Sequence, residues 1–196
     1  MKVNYFDLGL YRGVELGWMV NQILPSLGVD EFGVYGLEAS APYANNLAKL
    51  YAKNPHVSID HVAITGKEEK IRLYHSPNML GHSIYSTKNN VLQDRFEEVD
   101  GMRFSQWIKK NNIDLKSSFN IMKVNIEGAE WPLFKDLVEN DLAKYFDIFC
   151  GAGHDVEKIG ELQSVIDEYY SLLRENNIVI HRFTEWKPHL NKDIRQ

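Results

Sequence analysis

Short apolar runs rich in β-branched and aromatic residues alternate with longer stretches of helical spacing along most of the chain. Residues 3–6, 33–37 and 119–126 are three such runs, and each precedes a stretch in which apolar residues recur every three or four positions. This order favours parallel strands, because a parallel pair needs a long crossover, which a helix usually supplies. The pattern therefore predicts an α/β fold with a mainly parallel sheet and helices on both faces.

The same criteria predict the remaining elements. Further strands are predicted at 57–64, 147–150 and 178–183, with an extra strand at 71–74. Helices are predicted around residues 14–27, 42–51, 104–108, 131–142 and 156–173. Residues 76–100 contain many Asn, Gly, Ser and Thr residues, which favour turns, and so long a connection within a compact domain is often functional.

The composition is that of a single globular domain. The 196 residues contain no linker or repeat, so one domain spanning 1–196 is expected. The 22 Lys and Arg residues against 27 Asp and Glu residues give a net charge of −5. This charge argues against a nucleic-acid partner that binds a basic surface. No run approaches the roughly 20 apolar residues that span a bilayer, so no membrane segment is expected.

Cysteine and histidine usage exclude several kinds of site. Cys150 is the single cysteine, so the chain cannot form an internal disulfide or a zinc cluster, and the residue is interpreted as a buried small hydrophobe. The histidines lack the spacing of a metal site, and no metal is expected. The first residues lack the apolar core of a signal peptide. These features predict a soluble, cytoplasmic protein.

An acid and two glycines follow the first predicted strand. In open α/β sheets, ligands bind where the carboxyl ends of the strands meet, so this turn is a candidate site. Gly9 permits a tight turn, and Gly13 allows close approach of a ligand or of the sheet. The turn lacks the middle glycine of the dinucleotide fingerprint and the lysine of a P-loop. Asp7 suits a cationic group such as a sulfonium, although a purely structural turn explains the motif equally well.

A second acid, Glu38, follows the second predicted strand. A carboxylate at this position can accept hydrogen bonds from both hydroxyls of a ribose, or it can be a solvated acid at a strand end. Taken with Asp7 and Gly9, it indicates a site for a nucleoside that carries a positive charge. S-adenosylmethionine (SAM) fits that description.

Four stretches of the chain resemble the FkbM-type family of class I SAM-dependent methyltransferases. The most specific is Met-Lys-Val-Asn-Ile-Glu-Gly-Ala-Glu at 122–130, which is similar to the family signature Lys-x-Asp-x-Glu-Gly-x-Glu. The other three stretches, which follow the family order, are 6–13, 35–42 and 62–64 with the Gly-Lys turn after it. The resemblance implies a Rossmann-like, seven-stranded class I methyltransferase sheet. It also implies SAM as methyl donor and a hydroxyl on a sugar or other small molecule as acceptor.

The resemblance also implies roles for residues on the cofactor side. Asp7, Gly9 and Gly13 would line the methionine and sulfonium end. Glu38 would hold the ribose, and Ala63 would lie beside the adenine.

The later signature implies residues nearer the acceptor. Lys123, Glu127 and Glu130 match its charged positions and would face the acceptor. Each has a simpler alternative: Lys123 lies in an apolar strand and needs an acidic partner, and Glu130 suits a first helical turn. His154, after the next strand, is the preferred general base, because an imidazole titrates near neutral pH. His154 can also be a loop residue whose polar atoms are satisfied by backbone.

Two departures from the family pattern leave a second function open. Asn125 stands on the cofactor side where the family has Asp, and an amide cannot act as a base. Ala152 stands where the family commonly has an acid, two positions before His154. The alternative function is therefore a SAM-binding protein without catalysis that acts as a partner or scaffold subunit. A NAD-dependent oxidoreductase is a third, less favoured interpretation because of Asp7 and the missing glycine.

The acceptor side has few interpretable motifs. Residues 76–100 and the tail 185–196 are the segments expected to carry acceptor specificity, and His82 is a candidate for the acceptor pocket. The first strand starts close to Met1, so an N-terminal cap over the site is not expected. The loop 76–100, or a second copy of the chain in a homo-oligomer, is expected to close this side instead.

Overall fold

The computed structural model describes residues 1–29, 31–77, 81–160 and 163–186; of the 185–196 tail, positions from 187 on lie outside these ranges. The strands are β1 (Lys2–Leu8), β2 (Glu31–Glu38), β3 (Val57–His61), β4 (Ala63–Ile64), β5 (Glu69–Tyr74), β6 (Phe96–Met102), β7 (Ser118–Val124), β8 (Ile148–Gly151) and β9 (Ile180–His181). The helices are α1 (Val14–Trp18), α2 (Leu24–Ser26), α3 (Ala41–Tyr51), α4 (Phe104–Lys110), α5 (Glu130–Glu139), α6 (Gln163–Glu175) and α7 (Phe183–Trp186). A π-helical segment, Met19–Ile23, joins α1 to α2, and 3₁₀ turns form at Ala143–Tyr145 and Asp155–Lys158.

The main sheet has six strands in the order β3-β2-β1-β7-β8-β9, and every pair is parallel. The predicted α/β fold with a mainly parallel sheet is confirmed, and the architecture is compatible with a Rossmann-like fold. The described residues supply one strand fewer to this sheet than the resemblance implies. A second sheet, β4-β6-β5, holds the antiparallel pairing of β5 with β6.

Helices cover both faces of the main sheet, as predicted. On β1, Val3 and Tyr5 pack into a core with α1, the π-helical segment, α3 and α7. Phe6 and Leu8 point to the opposite face, into a core with α4, α5 and α6. Burial on both faces explains why the central strands are continuous apolar runs rather than alternating ones.

The strand order creates a crevice above the centre of the sheet. The chain moves outward through β1, β2 and β3 and then returns to place β7 on the other side of β1. The connections that leave β1 and β7 therefore run in opposite directions, and a gap opens between them at the carboxyl ends of both strands. Ligands of open α/β sheets bind at such a switch point.

Three strand predictions need correction. The strand predicted at 178–183 is limited to β9, and Phe183 begins α7. The run 57–64 is divided at Val62, because β3 ends beside β2 while β4 leaves to pair with β6 in the second sheet. Residues 96–100, expected within a loop, belong to β6. This strand is highly charged, and its charges are matched across the β5 pairing; Lys70 and Asp100 form an ion pair at 2.8 Å. Cross-strand charge pairs stabilise such a strand without an apolar pattern.

Two helix predictions also change in detail. The segment 14–27 is helical, but it passes through the π-helical turn before Pro25. Pro25 has no N–H for the α-helical bond to the carbonyl four residues earlier, which accounts for an irregular turn here. The predicted helix at 156–173 is a 3₁₀ turn followed by α6, with Gly160 at a φ of +73° between them. No helix within the described ranges is long and apolar enough to cross a membrane.

Candidate functional site

A cleft of about 760 Å³, part of which is open to solvent, lies above the carboxyl ends of the central strands. Its walls come from the turn after β1, the end of β2, β4, the chain at 81–84 and the turn after β7. It therefore lies at the switch point that the strand order creates. Of the residues predicted for the site, six line this cleft: Gly9, Glu38, Ala63, His82, Asn125 and Glu127.

Gly9 forms the floor of the cleft, where the exits of β1 and β7 meet. Its φ is +81°, and a Cβ added there would lie 1.9 Å from the carbonyl oxygen of Asn125. Only glycine fits this conformation and this approach. The amide N–H of Asn125 donates to the carbonyl of Leu8 at 2.9 Å, which fixes the two exits against each other.

Beneath this floor, Lys123 and Asp7 form a buried ion pair. Lys123 Nζ lies 2.9 Å from Asp7 Oδ1 and donates a hydrogen bond to the carbonyl of Gly9 at 2.6 Å. The hydroxyl of Tyr5 donates to Asp7 Oδ2 at 3.2 Å. Burial raises the pKa of Asp7, and the ammonium of Lys123 opposes that shift.

Neither member of this pair reaches the cleft. Both side chains are buried, and neither is among the described residues that line the cavity. The ion-pair alternative for Lys123 is confirmed. In this position Asp7 cannot contact a sulfonium in the cleft, and Lys123 cannot contact an acceptor there. Both residues instead hold the Gly9 turn from below.

Glu38 is fixed at the end of β2 by backbone donors. The N–H of Tyr11 donates to its Oε2 and the N–H of Ser40 to its Oε1, each at 2.8 Å. Burial raises the pKa of Glu38, and these backbone hydrogen bonds oppose the shift. Each carboxylate oxygen has a second lone pair, so the side chain can still accept two hydrogen bonds from a ligand.

Aromatic rings form one wall of the cleft. Tyr11, at a φ of +50°, meets Tyr43 edge-on with ring centroids 4.9 Å apart, and Tyr43 stacks on His82 at 6.2 Å. His82, a candidate for the acceptor pocket, lines this cleft. Its Nδ1 accepts the N–H of Ser76 at 3.0 Å, so the neutral ring carries its proton on Nε2. Burial lowers the pKa of His82, which favours that neutral ring.

Glu127 lies on the cleft wall after β7 in a constrained turn. Its φ is +57°, and Gly128 follows at +109°. Its carbonyl accepts the hydroxyl of Ser83 at 2.7 Å, and its carboxylate pairs with the ammonium of Lys88. A left-handed non-glycine residue that is held from several sides is typical of functional sites.

Lys88 and Tyr43 belong to the site but were not predicted from the sequence. Lys88 lies in a turn-rich stretch of polar residues. Its partner, Glu127, is 39 positions later in the sequence, so no local pattern predicts the ion pair or the burial of the ammonium. Tyr43 has helical spacing and reads as an ordinary helix residue. Its exposure to the cleft follows from the start of α3 directly after Glu38.

Glu130 supports the β7 turn from the side opposite the cleft. Its Oε2 accepts the N–H of Gly128 at 2.8 Å, and its Oε1 accepts the N–H of Ile126 at 3.3 Å. The side chain is fully buried and is not one of the described cleft-lining residues. Burial, with a further contribution from Asp155, raises the pKa of Glu130 to about 7. Its alternative position, in the first turn of a helix, is confirmed.

His154 and Gly13 lie away from the cleft. The side chain of His154 is 63% exposed, its Nε2 is 3.8 Å from Asp155 Oδ1, and Asp155 pairs with Lys158. The turn after β8 therefore does not bring this imidazole to the cleft, although it is the preferred base. Gly13, at a φ of +71°, begins α1, and a Cβ there would lie 2.6 Å from Leu47 Cδ2. Its small size serves the packing of α1 on α3.

A scan against models of protein families, a search of curated proteins and a search of solved structures each found nothing that matches this chain.

The buried ion pair leads to a prediction about stability. Lys123→Met is expected to lower the free energy of unfolding by about 3–5 kcal/mol, because it leaves the Asp7 carboxylate buried without its partner. Urea unfolding followed by circular dichroism measures this loss. The double variant Asp7→Asn with Lys123→Met, which removes both charges, is the control and is expected to recover much of it. A single variant as stable as the parent would contradict the assignment.

The pKa of Glu130 predicts a pH dependence. Its usual value is 4.5 and its folded value is about 7, so the folded state binds a proton that the unfolded state has released between these pH values. Stability contributed by this group is therefore lost as pH rises from about 5 to about 7, by at most about 3 kcal/mol.

Glu130→Gln tests this pH dependence, because the amide cannot ionise. Urea unfolding at a series of pH values is expected to show that the stability difference between parent and variant changes in favour of the variant as pH rises. Other carboxyl groups titrate in both proteins and cancel in the difference. A difference that does not change between pH 5 and 8 would rule out Glu130 as the source.

Proposed function

We propose that this chain is a SAM-dependent methyltransferase that methylates a hydroxyl group on a small molecule. The observation that carries the proposal is the position of Glu38. Its carboxylate faces a cleft at the sheet's switch point, across from the tight Gly9 turn. An acid one strand away from such a turn is the arrangement that recognises the ribose of a nucleoside.

The remaining cofactor contacts follow from the same cleft. The ribose hydroxyls donate to the free lone pairs of Glu38. The adenine lies between apolar side chains at the ends of β2 and β4, where Leu37, Ala63 and Ile64 line the cavity. Asn125 offers an amide that both donates and accepts hydrogen bonds. Asp7 acts indirectly, because with Lys123 it fixes the Gly9 turn.

The turn after β1 disfavours a dinucleotide. A pyrophosphate needs free backbone N–H groups at a glycine-rich turn that opens a helix. Here the N–H of Tyr11 already donates to Glu38, and the Tyr11 ring occupies the cleft wall. The nearby carboxylate would also repel an anionic ligand. These features favour a nucleoside without a pyrophosphate over NAD.

Glu127 is the group that we assign to the acceptor hydroxyl. The bound cofactor supplies a methyl group on a positively charged sulfur. Glu127 would accept a hydrogen bond from the hydroxyl and take up its proton. The methyl group would pass from sulfur to the hydroxyl oxygen as the carbon–sulfur bond breaks, which leaves the cofactor as a neutral thioether. His82 cannot take that proton, since its Nδ1 is occupied by the Ser76 N–H and its Nε2 carries the proton of the neutral ring. His82 is instead a hydrogen-bond donor to the acceptor.

Two observations favour the second candidate, a SAM-binding protein without catalysis. The amide of Asn125 stands in the cleft where the resembled family has an acid, and His154 lies outside the cleft. Incubating the protein with methyl-labelled SAM and a panel of hydroxyl compounds separates the two candidates. Labelled product indicates a methyltransferase, and binding without transfer favours the second candidate.

Glu38→Ala tests the cofactor site itself. Titration calorimetry is expected to show binding of SAM and S-adenosylhomocysteine (SAH) by the parent and at least about tenfold weaker binding by the variant, because two charge-assisted hydrogen bonds are lost. Glu31→Ala is a matched control, since this exposed acid lies at the opposite end of β2. Unchanged affinity in Glu38→Ala would remove the ribose assignment. Binding of NADH but of neither SAM nor SAH would favour the dinucleotide interpretation.

A further inference from the structure

Lys88 places a buried ammonium behind the wall of the cleft, against Glu127. Its side chain is 1% exposed, and its Nζ donates to the Glu127 carboxylate and to the carbonyl of Gly81 at 3.2 Å. Glu127 is 24% exposed and faces the cavity. A buried lysine needs a charged partner, because desolvation of its ammonium is costly. The pair therefore presents a neutralised carboxylate to the cleft.

The segment that carries Lys88 has further anchors beside this ion pair. Ser83 holds the backbone carbonyl of Glu127, and the N–H of Asn89 donates to the carbonyl of Lys158 at 3.4 Å. Thr87 donates its hydroxyl to the carbonyl of Ile159 at 2.5 Å. The loop thus has hydrogen bonds that do not depend on the Lys88 side chain, so changing this side chain leaves it anchored.

Few of the residues that line the cleft carry a charged side chain. Among its described lining residues, the carboxylates are those of Glu38 and Glu127. Glu38 lies at the end of β2, and Glu127 lies beyond β7 on the other side of the Gly9 turn. Asp7 is beneath this turn and paired with Lys123. Lys88 is the cation that contacts Glu127 directly, and it therefore offsets the negative charge at the β7 end of the cleft.

We propose that Lys88 determines the charge of the ligand group that binds at the β7 end of the cleft. Because Lys88 neutralises Glu127, this end favours an uncharged polar group over a cationic one. This inference rests on the proposed function, which supplies two suitable probes. SAM carries a sulfonium, whereas SAH carries a neutral thioether at the same position. The parent protein is therefore expected to bind SAH at least as tightly as SAM.

Titration calorimetry with SAM and SAH tests the inference through the ratio of the two dissociation constants. In Lys88→Met, Glu127 is left as an uncompensated anion, so the ratio is expected to shift toward SAM by on the order of tenfold. Lys88→Arg keeps the positive charge and is expected to leave the ratio near that of the parent. A purely structural disturbance would weaken both ligands alike and leave the ratio unchanged.

Glu127→Gln removes the negative charge of the ion pair, whereas Lys88→Met removes the positive one. It leaves the Lys88 ammonium without its counter-charge, so the ratio is expected to shift toward SAH by a similar factor. Near-ultraviolet circular dichroism of each variant checks that the fold is kept. Opposite shifts in Lys88→Met and Glu127→Gln support the inference, and they do not depend on the stability of either variant alone.

Different failures overturn different claims. If the parent binds SAM more than about tenfold tighter than SAH, or if the ratio is the same in all variants, Lys88 does not set the charge preference, while the proposed function stands. If the parent binds neither ligand, the proposed function fails, and the inference fails with it.

Discussion

The ion pair between Lys123 and Asp7 joins the two central strands directly beneath the turn on which the cleft is built. Both charges are buried, so the pair is stable only because each partner is satisfied by the other and by hydrogen bonds to Gly9 and Tyr5. The ion pair fixes the position of the Gly9 carbonyl relative to the sheet. The left-handed turn at Gly9 can then pass close to the Asn125 carbonyl, because no side chain lies between them.

Bracing of backbone by charged side chains recurs around the cleft. Glu38 accepts two backbone N–H groups at the end of β2, and Glu130 accepts two at the β7 turn. Of these acids, Glu38 also faces the cavity, whereas Glu130 is sealed behind the turn. The same side-chain chemistry thus supports the backbone in both positions, and in one of them it also presents a carboxylate to the cavity. Whether such an acid faces the cavity or lies behind the turn depends on the direction of its side chain relative to the turn.

That dependence explains how much the sequence could predict. Apolar runs buried on both faces identified the central strands, and the topology of parallel sheets identified their carboxyl ends as the site. Glu38 and Glu127 were found in this way, because position along the strand suffices for them. Lys123 lies inside a strand, so its burial under the turn depends on which face its side chain takes. His154 follows β8, where the path of the loop decides exposure, and Lys88 approaches from a segment without a periodic pattern.

The two sides of the cleft therefore have different physical origins. The wall around Glu38 and Ala63 belongs to strand ends, whose position is fixed by the sheet and its two cores. The wall around Glu127 is completed by the segment that contains Ser83 and Lys88. This segment is attached through side-chain and backbone hydrogen bonds and through the ion pair of Lys88 with Glu127. Substitutions in that segment can change the charge and shape of this wall while the strand ends keep their geometry. Under the function that we propose, recognition of the nucleoside and choice of the acceptor can consequently vary independently.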